Sequence, residues 1–293
     1  MDKKPIFHSA WIILAICFGN FFVTYGIRFG YGIMLPQMLE SLSLTKAQGG
    51  LIYSSYFFAY LLFSPILGNL SDRMGARKII AFFSIFLILG TTLMGGISSF
   101  WSGVFFFAIT GLGASALYSP VISLVQRWFG ERRRGLALGI LEMGAALGIG
   151  SMGIILPMFI SRFGWRFSWY LQGGSVFVLV FINALYLRSN PKELQLMPWG
   201  SEPGWVDQMK EGDEVYYREI LRLGHFWMIG FSYLFTSAVF YAIVTFIVMY
   251  GVAEVGISHS IASGFITIKA IAGLLGSPAI LHISDHIGRR RAI

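Results

Sequence analysis

Residues 68–78 read GNLSDRMGARK, and residues 281–291 read LHISDHIGRRR. Ser71 and Asp72 align with Ser284 and Asp285, and Gly75 aligns with Gly288, at a constant offset of 213 residues. The same offset pairs Ser64-Pro65 with Ser277-Pro278 without a gap, and it lays the apolar runs before one stretch over those before the other. An Asp at a helix end caps it or pairs with a neighbour, a Gly permits a tight turn, and the basic residues suit a membrane–water boundary. A single copy would pass as a basic turn. Two copies at matched positions define a repeated two-helix unit.

Composition decides what kind of helices these are. The 293 residues are 56% hydrophobic and 12% charged, with a mean hydropathy of +0.69. A soluble domain carries about 25% charged residues. Apolar runs recur that are long enough to cross a hydrocarbon core of about 30 Å, and helices satisfy their own backbone groups in lipid. The alternating segments of about 10 residues that mark a membrane barrel are not seen. The expected fold class is therefore an all-α integral membrane bundle. Its eight spans fall near residues 9–35, 48–69, 78–98, 101–126, 135–160, 166–187, 224–250 and 260–283. The basic, apolar N-terminus lacks a signal-peptide cleavage site and reads as a retained first helix. Cys17 is the sole cysteine, so no internal disulfide can form.

The net charge of +8 does not indicate nucleic acid, because the charges sit in short loops between apolar runs. With the N-terminus inside, seventeen Lys and Arg fall on the inner side and three on the outer. The positive-inside rule then predicts a multi-pass protein of the inner (plasma) membrane with a cytoplasmic N-terminus. The long polar stretch 189–222 ends in YYREILRLGHFW, whose spacing suits an amphipathic helix on the membrane surface. It divides the chain into a six-helix unit (1–188), a cytoplasmic linker (189–222) and a two-helix unit (223–293).

GNLSDRMGARK resembles the loop between helices 2 and 3 of the major facilitator superfamily, and LHISDHIGRRR resembles its counterpart between helices 8 and 9. The second copy departs at Leu281 and His286. The resemblance implies a conformational latch made of Gly68, Asp72, Arg73, Gly75, Arg77 and Lys78, with Asp285, Gly288, Arg289 and Arg290 in the second copy. Stretches 25–48, 123–140, 164–170 and 190–200 are similar to the bacterial monocarboxylate-transporter-like branch. Members usually have twelve helices, which implies four more than the eight read here. GILEMGAALGIGSMGIILP at 139–157 resembles the family's Gly-rich antiporter motif but lacks its Gly-Pro pair, so exchange is not supported. Internal repeats of this kind mark many secondary transporters.

An ionisable residue inside a membrane helix is costly and is a functional hypothesis by default. Three Arg, Lys, Asp or Glu residues qualify: Arg28, Glu142 and Lys269. Counted from Pro36, Arg28 lies about 12 Å below the outer end of its helix, and Lys269 lies about 14 Å below its own. Two cations at similar depth in opposite halves would meet one carboxylate, which outweighs snorkelling to the headgroups. Glu142, about 12 Å from the inner end, is a candidate proton carrier. The resemblance puts Tyr25, Tyr53, Tyr56, Tyr118 and Tyr241 on cavity-lining helices as hydrogen-bond donors, although most membrane tyrosines only pack.

No phosphate loop, nucleophilic triad or metal-ligand spacing is present in the sequence, so neither an enzyme nor a cofactor or metal is expected. The expected activity is secondary transport of a small organic anion, a monocarboxylate, with a proton, in contact with membrane lipid and not with nucleic acid. The alternatives are export of an uncharged or amphipathic compound, and a membrane sensor that transports nothing.

Overall fold

The computed structural model describes residues 8–201 and 222–287, with side chains except at 131–132 and 275–287. Most of the linker and the basic end of the second repeated loop, with the Asp285 side chain, therefore lie outside the described residues.

Helix α1 (Ser9–Ser41) starts where the His8 ring accepts from the Ala10 N–H, and it runs through Pro36. Arg28 consequently lies 13 residues before the helix end, about 20 Å in at 1.5 Å per residue, deeper than a helix ending at Pro36 implies. Helix α2 (Lys46–Met74) opens with a reciprocal capping box, Gln48 N–H to Thr45 Oγ1 and Thr45 N–H to Gln48 Oε1. Gly75, at φ 92°, turns the chain into α3 (Ala76–Met94). The fourth pass breaks into α4 (Phe100–Ser115) and α5 (Ser119–Trp128), with Pro120 at the start of the second piece.

Helical bonding then runs from Glu131 to Tyr186 (α6), 56 residues. A straight helix of that length would span about 84 Å, far beyond a bilayer. Gly164, at φ 79° and ψ 169°, folds it back, so α6 makes two passes, as the sequence predicts. The first half of the molecule thus has six passes. Helices α7 (Gly224–Ala253) and α8 (His259–Ile287) supply two more.

Lipid offers little hydrophobic drive between helices, so close packing depends on small residues and polar bonds. A Cβ on Gly148 would stand 2.1 Å from the Phe22 carbonyl oxygen, so only glycine lets α6 lie against α1 there. Gly153 does the same against the Ser263 carbonyl of α8, at 2.8 Å. Gly139, of the same spacing, faces open space. Buried Asn20 and Asn183 exchange two 2.8 Å hydrogen bonds and tie α1 to the second arm of α6.

Among the described residues, the contacts between the halves lie around Arg28 at mid-helix and toward one end. There, the His259 ring meets the Ile33 carbonyl at 2.7 Å, Thr267 donates to Gly150, and Lys46 pairs with Glu254. At the opposite end, near the Gly75 turn and the start of α6, the N-terminal half of α7 is exposed, as are Leu136 and Met143.

Candidate functional site

Arg28 sits mid-way along α1, where α1, α2 and α7 meet, and is 4% exposed. Its Nε donates to the Tyr56 hydroxyl at 3.1 Å and its Nη1 to the Tyr241 hydroxyl at 3.4 Å. The guanidinium carbon also lies over the rings of Tyr60 (4.7 Å), Tyr25 (5.0 Å) and Phe57 (5.4 Å). An arginine has five N–H donors in a planar fork. Two are used here, the Tyr60 hydroxyl also lies within reach of the guanidinium, and no carboxylate neighbours it among the described residues. Ring faces give the cation partial compensation for its lost hydration without neutralising it.

Lys269 is half-buried on α8, its ammonium 4.3 Å from the Phe240 ring and 5.7 Å from the Phe29 ring. It has no acidic partner among the described residues. The Phe29 ring stacks on Tyr241 at 5.7 Å, so the same aromatic layer borders both cations. The repeat is visible in these contacts. Arg28 and Tyr241 occupy equivalent positions 213 residues apart, and Tyr56 is equivalent to Lys269. Each half contributes one cation and one tyrosine, at exchanged positions.

The other residues singled out from sequence fall in different places. Tyr25 stacks between Phe21 and Phe29 and under Arg28. Tyr53 is buried against Tyr31 and Phe107. Tyr118, at the break between α4 and α5, packs edge-on against Phe21, one layer away from Arg28. Glu142 is exposed on α6, without an ion pair or hydrogen bond among the described residues. Phe29, Phe57, Tyr60 and Phe240 escaped the sequence reading. Residues 56, 57 and 60 do fall at helical spacing for one face, but in a helix so rich in aromatic residues that pattern singles out no site.

In the first repeated loop, Asp72 pairs with Arg127 at 2.8 Å, a partner on α5. Gly68 lies against Ser119 on the same α5, with room for little more than a Cβ. The Arg77 N–H bonds Ser189, and its side chain reaches the Ala184 carbonyl at 2.6 Å. Arg73 is exposed, and Lys78 borders a shallow hollow with Met74 and Ser189. Among the described residues, the bonds of this loop stay within the first half.

Paired helical units around a cation-bearing seam define the class of protein: a two-halved helical membrane bundle. The chain belongs to the Major Facilitator Superfamily, whose family pattern matches residues 16–293. That is a family of transporters, and the resemblance read from the repeated loops holds. A hexuronate transporter of Bacillus subtilis (strain 168) is 24% identical over 92% of this chain and 63% of its own length. Monocarboxylate transporter 14 of Mus musculus is 25% identical over 66% of this chain and 38% of its own. Among solved structures, a bacterial homolog of the human lysosomal transporter Spinster, inward-facing and unoccupied, superposes with a TM-score of 0.79 at 19% identity. That match covers 99% of this chain and 64% of the other. The chain thus spans just under two thirds of the hexuronate transporter and of the Spinster homolog.

Proposed function

We propose that the protein carries a small organic anion, a monocarboxylate, together with a proton across the plasma membrane by alternating access, with its N-terminus cytoplasmic. The observation that carries this reading is Arg28: a buried cation at mid-helix, on the seam between the halves, bonded to neutral tyrosine hydroxyls and with no acidic partner among the described residues. A carboxylate matches that planar fork in a way that chloride or a neutral solute does not. Lys269 adds a second positive charge from the other half. Relatives named for hexuronate and monocarboxylate transport support an anionic substrate.

In the proposed cycle, the halves meet at the Lys46–Glu254 end and part at the Gly75 end. With the N-terminus inside, that is an inward-open state. The anion, taken up from the outer side, displaces the Tyr241 hydroxyl from Nη1, engages Arg28 and leaves past Glu142 in this state. Rocking of the halves then closes the inner end and opens the outer one. Asp72, now held by Arg127, would release it to bridge the halves when the inner end closes. Glu142 would take the proton, a carboxylate with no cation beside it to hold it ionised. Uptake of radiolabelled monocarboxylates into proteoliposomes, by wild type and Arg28→Gln, tests the reading. A large loss in the variant is expected. Undiminished transport would show that the solute is uncharged and would sink it.

A further inference from the structure

We infer that the anion has an apolar, aromatic-sized tail, so that the site prefers an aryl or branched-chain monocarboxylate to a polyhydroxylated sugar acid. The inference rests on the carboxylate reading above and specifies its substrate class. The walls around the two cations are rings: Tyr25, Phe29, Phe57 and Tyr60 beside Arg28, and Phe240 beside Lys269. A sugar acid brings several hydroxyls that must each exchange water for a protein partner, and binding suffers when they find none. The amides that could serve are engaged elsewhere. Asn20 and Asn183 are consumed by one another, and the Gln172 amide lies inside the first half, its NH2 on the Met34 sulfur and its oxygen against Gly30. What the seam offers a substrate is therefore two positive charges, tyrosine hydroxyls, the Thr24 hydroxyl one helical turn from Arg28, and mostly ring surface. Ring faces bury an apolar tail well and also accept edge-on or stacked aromatic groups.

This chemistry separates the present chain from what the name of its hexuronate-transporting relative would suggest. Phe57 is the informative residue, because it touches Arg28 and also packs on Tyr241 at 4.6 Å across the seam. The test is binding of phenylacetate and of D-glucuronate to the full chain in nanodiscs, in wild type, Arg28→Gln and Phe57→Asn. We expect phenylacetate to bind at least tenfold more tightly than D-glucuronate, and both to be lost in Arg28→Gln. Phe57→Asn should weaken phenylacetate about tenfold and leave D-glucuronate unchanged or improved. A folding defect in that variant would instead lower both ligands together, and the wild-type ratio would then decide the matter. Equal or tighter D-glucuronate binding that still needs Arg28 overturns the apolar-tail inference and leaves the carboxylate reading standing. Binding of neither acid, or binding indifferent to Arg28, overturns both.

Discussion

At the scale of the residue, the decisive feature is the unneutralised charge of Arg28. Its partners are neutral tyrosine hydroxyls, and no carboxylate pairs with it among the described residues. Removing a charged hydrogen-bonding group from such a site costs about 3 kcal/mol, or roughly a hundredfold. Arg28→Gln should accordingly depress carboxylate uptake by roughly that factor, and Arg28→Lys should recover only part of it, because an ammonium keeps the charge and loses the fork. Uptake rates in proteoliposomes at fixed pH measure both. Glu142 makes a separate prediction. If it carries the proton, Glu142→Gln mimics the protonated state, so inward uptake driven by a proton gradient should fall to the gradient-free rate. Exchange of labelled for unlabelled substrate should persist. Uptake in that variant that still rises with an imposed gradient would exclude Glu142 as the carrier.

At the scale of the element, packing of α6 sets where the seam can form. Gly148 has the Phe22 backbone against it and Gly139 has nothing, although both belong to one glycine-rich run. Gly148→Val must push backbone apart, an overpacking cost of about 1–3 kcal/mol, whereas Gly139→Val meets no steric obstacle. Thermal unfolding in detergent should show a clear drop in midpoint for the first and little change for the second. The same glycine pattern thus reads identically in sequence at both positions, and only the crossing of α1 over α6 distinguishes them. The fourth pass carries a related lesson. Pro120 predicts a kink inside a single span, and the chain breaks into two helices there, with Tyr118 at the joint.

At the scale of the whole molecule, one end holds a charged contact between the halves. Lys46 and Glu254 join the N-terminus of α2 to the end of α7, and His259 reaches the α1 backbone nearby. Lys46 holds the Glu254 carboxyl below its ordinary range. Such a group supports the pair above its unperturbed value and loses it as pH falls through the lowered one. Both side chains are about half exposed, so salt also weakens the pair. A short bis-methanethiosulfonate cross-linker across Lys46→Cys/Glu254→Cys should hold this end shut and arrest transport, and reduction of its disulfides should restore transport. Cys17 is buried and should not compete for the reagent. Transport that continues through an intact cross-link would mean that this end does not open during the cycle.

The amino-acid sequence by itself determined the membrane class, the eight passes and the repeated unit, while the depth of Arg28 waited on where α1 ends. These follow from run length, hydropathy and identity at a fixed offset, all of which are local or periodic properties. The tertiary structure alone decided that Arg28 bonds its own repeat-equivalent Tyr241, that Phe29, Phe57, Tyr60 and Phe240 border the cations, and that Asp72 answers Arg127. The physical reason lies in the solvent. In water, an apolar stripe tells which side of a helix faces the core. In lipid, the outward and inward faces are both apolar, so hydropathy leaves the rotation of each helix undetermined. Rotation is settled by backbone contact at particular glycines and by polar groups meeting across helices, and those contacts exist only once the bundle has assembled.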